Sequence, residues 1–225
     1  MAFFSETAMP QKVIAIDGPS ASGKGTVAQR VADALGWRYL DSGALYRITA
    51  LYARNRRTAW DNEAAVAALA QALPVEFVEG TVLLDGEDVS AAIRSEEIGM
   101  GASRVAALPA VRTALLQRQR VFLTEQGLVA DGRDMGSVVF PDAVLKVFLT
   151  ASPQVRAERR AKQIGVPLAG AGFERILADI EARDEADRNR TVAPLQKLPE
   201  AHLLDTSALT IEESVKKVLD WYREK

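Results

Sequence analysis

The chain has 225 residues, no cysteine and a single histidine, His202, and its 28 basic and 30 acidic residues leave a net charge of -2. That composition excludes disulfide frameworks, thiolate nucleophiles, iron–sulfur clusters, Cys-type zinc sites and metal sites that need two histidines. The balanced charge argues against a general nucleic-acid or membrane coat, and the length allows one domain, or one with an insertion, whose core needs no staples.

A Ser-His-Asp triad would have to run through His202, which precedes the apolar run LLDT and reads as a residue at a strand start. The basic residues comprise 20 Arg and 8 Lys. Arg grips phosphate and carboxylate in a planar, bidentate way, although codon composition would produce the same excess. The opening segment MAFFSETAMP has no basic n-region or long apolar core, so no signal peptide is expected. No apolar run approaches the roughly 18 residues of a membrane helix, and the expected location is the cytoplasm.

In chain order, KVIAID (12–17) is a β-branched strand ending at an acid, and TVAQRVADAL (26–35) is a helix with Val27, Val31 and Leu35 on one face, stopped by Gly36. A strand-like RYLDS (38–42) and a helix from about Gly43 to Asn55 follow, a succession that argues for a parallel sheet with crossover helices. The rhythm then breaks. PVEFVEGTVLLDGEDV (74–89) alternates, with turns at Gly80 and Gly86, so 70–105 reads as an insertion carrying its own antiparallel sheet. A long helix is expected from Pro109 to about Gln126, then a strand LVAD ending at Asp131, then an apolar strand VLKVFLTA (144–151). Ser152-Pro153 caps the next helix, and Gly165, Pro167, Gly170 and Gly172 punctuate a flexible stretch between two Arg-rich helices. The chain closes with HLLDTS and a helix Ile211–Arg223 behind a Thr210–Glu213 capping box.

The strongest chemical feature is Gly18-Pro19-Ser20-Ala21-Ser22-Gly23-Lys24-Gly25-Thr26, a G-x-x-x-x-G-K phosphate loop lying between a strand and a helix. Its backbone N–H groups can wrap a polyphosphate, the helix start adds a positive dipole end, and Lys24 follows the β and γ phosphates. The residue after Lys24 is Gly25 and the hydroxyl is displaced to Thr26, so the usual Mg²⁺ ligand is absent. The metal is then expected to be held by ATP phosphates and water, with Asp17 or Asp131 at most behind that water.

Asp41-Ser42-Gly43-Ala44-Leu45-Tyr46-Arg47 opens the second helix; Ser42 and Arg47 read either as an anion site or as a cap and a surface charge. Asp131-Gly132-Arg133-Asp134-Met135-Gly136 follows a buried strand, at the edge where open α/β sheets bind ligands. In the run Arg183–Arg190 the residues Arg183, Asp187 and Arg190 share one helix face, while Asp184, Glu185 and Arg188 read as a salt-bridged solvent face.

Taken together, GPSASGKGT, LDSGALYR, VADGRDMGSVVFPDA and RDEADRNR, in this order, resemble bacterial cytidylate kinases, P-loop nucleoside monophosphate kinases acting on CMP and dCMP. The resemblance runs from about Val13 to the last helix. It implies an α/β fold with a five-stranded parallel sheet flanked by helices, a core of 11–69 and 106–225, a monophosphate-binding insertion at 70–105 and a lid at about 156–174. It implies phosphate-binding groups at Ser42, Arg47, Arg133 and Arg190, ribose contacts at Arg183 and Asp187, and base readers at Ser103, Arg112 and Asp134. The lid arginines Arg156, Arg159 and Arg160 are expected to reach the transferring phosphates, the sequence leaving open which of them does; Arg159 is placed beside Lys24 and Arg133 in the catalytic set. The implied reaction moves the γ-phosphoryl of MgATP to CMP or dCMP in a monomer with small-molecule partners only. Ala21 departs from the family, which has glycine there, and alanine restricts the backbone wherever φ must be positive. An adenylate or shikimate kinase would lack the D-G-R-D-M-G segment, and a GTPase switch would need an N-K-x-D reader that is absent.

Overall fold

Residues 11–78 and 80–225 are described by a computed structural model of the chain. The opening segment, where no signal peptide is expected, lies outside the described residues. By internal contacts the chain divides into two units, one of the residues up to Leu40 together with Phe122–Lys225 and the other of Asp41–Val121. The 70–105 segment lies within the second unit, which also takes in the helices on either side of it.

The first unit is built on β1 (Gln11–Asp17), whose Val13, Ile14, Ala15 and Ile16 are all sealed from solvent. A strand apolar on both faces belongs at the centre of a sheet covered on both sides. β1 runs parallel to β6 (Leu128–Gly132) and to β7 (Ala143–Thr150), and β7 runs parallel to β8 (His202–Asp205). With β2 (Arg38–Asp41) beside β6, the five-stranded order is β2-β6-β1-β7-β8. The chain crosses from one side of β1 to the other, and the loops at the carboxyl ends of β1, β6 and β7 therefore meet, the place where such sheets bind ligands. α1 (Lys24–Leu35) buries Val27, Ala28, Val31 and Ala32 in a core shared with Val129, Val147, Leu149 and Leu204. α8 (Ile211–Arg223) adds Val218 to it behind the expected capping box, which is present. His202 opens β8 and stacks on Trp221, ring centroids 4.6 Å apart.

α6 (Pro153–Ile164) and α7 (Ala171–Asn189) form a pair with a small core of their own, Ala157, Ala161, Phe173 and Ile180. Ser152 caps α6 through Val155 N–H, as expected, and Gly165 ends it in a left-handed conformation. Among the described residues no helix is long and apolar enough to cross a membrane.

The second unit holds α2 (Ser42–Asn55), α3 (Glu63–Gln71), a sheet of β3 (Val75–Val78), β4 (Thr81–Leu84) and β5 (Glu87–Asp88), α4 (Glu96–Ala106) and α5 (Pro109–Arg120). Its strands pair antiparallel in the order β3-β4-β5, as the alternation of 74–89 predicts. α2 packs on α4, and α3 on α5. Two helices were not read from the sequence. α3 is one, and α4 is the other, so the last third of 70–105 is helix rather than sheet. α5 ends at Arg120 instead of continuing to Gln126. Beyond it Gly127 N–H closes a turn on Thr124 O, and Gly127 O accepts from Arg38 N–H at 3.1 Å, which turns the chain into β6.

Candidate active site

In the first unit, the phosphate loop leaves β1 at a point where only glycine fits. A Cβ on Gly18 would lie 1.9 Å from the Leu149 carbonyl oxygen of β7. The loop then turns through Pro19–Gly23, and Gly23 caps α1 in a left-handed conformation (φ 90°). Ser22 Oγ donates to Pro19 O at 3.0 Å, and Lys24 Nζ reaches the same carbonyl at 3.3 Å, drawing the buried lysine over the loop. Thr26 sits exposed in the first turn of α1.

Gly25 lies against two polar side chains. A Cβ there would come within 3.3 Å of Tyr39 Oη and 3.4 Å of Asp131 Oδ2, and these two are joined by a 2.5 Å hydrogen bond donated by the tyrosine. Asp17, the other acid near the loop, accepts from Met135 N–H at 2.8 Å and Gly136 N–H at 2.9 Å. Burial pushes its carboxyl up to about 6, against those two bonds. Both acids are thus engaged by protein groups. Among the described residues, no three His, Asp or Glu side chains are grouped as a metal ion would need.

Beyond β6, Met135–Val139 form one wide turn, with Phe140 N–H reaching back five residues to Met135 O at 2.7 Å. Such turns cluster at functional sites. This one fixes Arg133 and Asp134 at its start, and Asp134 is buried. Arg133 Nε donates to Asp187 Oδ2 at 2.6 Å, an ion pair mostly withdrawn from solvent. Burial alone would raise the Asp187 carboxyl. The charge and hydrogen bond of Arg133, then the charges of Arg190 and Arg183, outweigh it and hold Asp187 below the usual carboxylate range. The charges of Arg183 and Arg190 thus act on Asp187 together with Arg133, although Arg190 lies just beyond the last helical residue, Asn189, rather than on a continuous helix face. Arg190 ends α7, and its Nη2 donates to Ala193 O at 2.6 Å.

Asp184 differs from expectation. It is buried rather than solvated, because Arg156, 28 residues earlier, meets it with two parallel hydrogen bonds. Arg156 is 2 % exposed and also donates to Ala151 O at 3.0 Å and Ser20 O at 3.2 Å, so its guanidinium is directed at protein groups rather than at a bound phosphate. Arg159 lies along the loop, donating to Ser22 O at 3.0 Å and to Thr206 Oγ1 and O. Arg160 donates to Gln163 of its own helix at 3.1 Å. Thr206 was missed: it is buried, and its hydroxyl spans Ser22 O and Thr150 O. Its signal was a threonine directly after the acid that ends β8, the position that follows a strand's carboxyl end.

In the second unit, Asp41 rather than Ser42 caps α2, accepting from Ala44 N–H at 3.0 Å, and Ser42 is buried in the first turn. Arg47 donates to Ile93 O at 2.8 Å, and its guanidinium lies where a Cβ on Gly99 of α4 would come within 3.3 Å. Ser103 Oγ bonds back to Gly99 O at 3.2 Å. Arg112 is buried, donates to Ala106 O at 3.1 Å and lies 5.8 Å above the Tyr46 ring. Ser42, Arg47, Ser103 and Arg112 thus all lie in this unit, on three helices that pack together.

The chain's similarities agree with this chemistry. The family model described as cytidylate kinase matches residues 14–224. A cytidylate kinase of Neisseria meningitidis serogroup C is 72% identical over 214 residues, covering 95% of this chain and 98% of that one. A cytidylate kinase of Chromobacterium violaceum is 61% identical over 217 residues, covering 96% and 98%. Among solved structures, an uncharacterized protein from Eubacterium ventriosum aligns over 96% of this chain and 100% of its own, with 10% identity and a TM-score of 0.53, a likeness of fold alone.

Proposed function

The chain belongs to the cytidylate kinase family, and from that premise we propose which of its groups carry the transfer. The enzyme moves the γ-phosphoryl of ATP to CMP or dCMP, giving ADP and CDP or dCDP. The acceptor atom is a phosphate oxygen already ionised near neutral pH, so no side chain has to remove a proton. The site must instead align two polyanions and balance charge on the group in flight.

Donor binding falls to the amides of 18–26 and to Lys24. The divalent ion enters with ATP as part of the substrate, held through phosphates and water, and the engagement of Asp17 and Asp131 by protein groups supports that reading. Arg159, whose Nη1 lies 3.7 Å from where a Cβ on Gly23 would stand, is the lid arginine assigned to the transferring phosphates. The lid itself is assigned to about 156–174, and the exposed connection with left-handed Gly165 and Gly170 supports it. On the acceptor side, Ser42, Arg47, Arg133 and Arg190 take phosphate, and Arg183 and Asp187 take ribose. Ser103, Arg112 and Asp134 read the base. Cytosine offers an amino donor that a carboxylate accepts, whereas uracil presents an oxygen there, so Asp134 favours CMP. The proposed setting is the cytoplasm and the proposed state a monomer; the balanced net charge supports free nucleotides as substrates rather than nucleic acid or a membrane.

One observation carries this reading: the Asp187 carboxylate sits in the field of Arg133, Arg183 and Arg190, a cluster prepared for an anionic, hydroxyl-bearing ligand. Arg133→Ala should lower kcat/KM for CMP on the order of 10²-fold, the loss typical of one preorganised donor. The KM for ATP should change little by comparison. An unchanged kcat/KM for CMP would remove Arg133 from the site.

A further inference from the structure

Three consecutive residues of the phosphate loop are fastened to the α6–α7 pair or to the side chains it carries. Ser20 O accepts from Arg156 Nη1 at 3.2 Å and Ser22 O from Arg159 Nη1 at 3.0 Å. Between them Ala21, at φ 57°, packs against the apolar cluster of Ala157, Ala161, Phe173 and Ile180. A glycine at 21 would take this left-handed conformation without strain but would have no methyl to place there.

Carbonyls held outward leave the intervening amides turned the other way, which is what a polyphosphate needs. Arg156 can hold this position while buried because Asp184 neutralises it through two parallel bonds, the arrangement that best fixes a guanidinium. Asp184 stands one turn before Asp187 on α7. One face of α7 therefore grips the brace behind the loop, while the residues on either side of Asp184, namely Arg183, Asp187 and Arg190, form the cluster around Arg133.

We infer that Arg156, Asp184 and Ala21 are positioning residues that couple the two substrate subsites: an acceptor nucleotide ordering α7 rigidifies the phosphate loop, and ATP binding there favours the acceptor in return. Reciprocity follows from linkage, and ordering of a shared element is a sufficient means. The inference rests on the reading that α7 carries acceptor-binding groups.

Hydrogen exchange on the intact protein with CMP alone, and no ATP, tests it. In the wild type, saturating CMP should slow exchange of amides 20–24 by about fivefold or more, the lower range of allosteric coupling. In Asp184→Asn and Arg156→Lys that protection should be lost, while the CMP dissociation constant measured by calorimetry changes less than the loop protection does. Ala21→Gly, which keeps both arginine bonds, should reduce the protection in part. Protection that persists in the folded variants would overturn the inference. So would a wild-type loop indifferent to bound CMP, a result that needs no variant to fold. If the wild type did not bind CMP at all, the acceptor reading beneath the inference would fall, and calorimetry makes that failure distinct.

Discussion

Asp17 ends β1 with its carboxylate inside the protein, serving the two amides that begin the Met135–Val139 turn. Burial is the dominant influence and raises its titration to about 6, the charge of Asp134 adds to the rise, and the amide bonds and Arg133 oppose it. In the unfolded chain the same group titrates near 3.8. Between these values the folded protein holds a proton that the unfolded chain has released. The stabilisation is therefore complete below about pH 4 and lost as pH rises through about 6, amounting to about 3 kcal/mol at about 1.4 kcal/mol per pH unit. Urea unfolding of wild type and Asp17→Asn from pH 4 to 7 checks this. The difference between the two curves should fall with rising pH across that window, and parallel curves would contradict it. Ala21 balances opposing terms in a similar way. A left-handed alanine costs roughly 1–2 kcal/mol, and burying its methyl returns at most about 0.8 kcal/mol, so the contact offsets only part of the strain.

The phosphate loop and the strands around it were legible because their signals are local: a β-branched run, a glycine-rich turn, then helical spacing. α4 was not, and the reason lies in Gly99 and Gly101. Both weaken a helical reading of EEIGMGASRVA, yet a side chain at Gly101 would collide with the Trp60 ring at 2.5 Å, and one at Gly99 would crowd the Arg47 guanidinium at 3.3 Å. Those glycines answer to tertiary packing, which no local pattern reports. Asp184 was misjudged for a related reason, since a helical face cannot reveal a partner on another helix. α2 shows how much one local choice decides. Its start depends on Asp41, which satisfies Ala44 N–H, and Ser42 and Arg47 follow within the next two turns. Asp41→Ala should destabilise the protein by about 1 kcal/mol, the usual cost of a lost N-cap. Chemical denaturation measures it directly, and an unchanged midpoint would show that the helix start is held by other contacts.

At the scale of the molecule, each unit carries a distinct part of the work. The first holds the phosphate loop, the Arg133–Asp187 cluster and the arginines of α6. The second holds Ser42, Arg47, Ser103 and Arg112 on three packed helices. The shortage of titrating nucleophiles in the composition, one His and no Cys, accords with a transfer between phosphates that asks for positive charge and alignment. The Arg excess has a matching use, because six of the assigned side chains are arginines: Arg47, Arg112, Arg133, Arg159, Arg183 and Arg190. In the proposed assignment these groups select the base as well as the phosphate. The most direct test offers the purified protein MgATP with one monophosphate at a time (CMP, dCMP, UMP or AMP) and follows ADP together with the nucleoside diphosphate formed. CMP and dCMP should be converted, with kcat/KM for CMP exceeding that for UMP by about tenfold or more, as expected when a buried carboxylate loses its donor. Phosphorylation of AMP with CMP left unreacted would contradict the account.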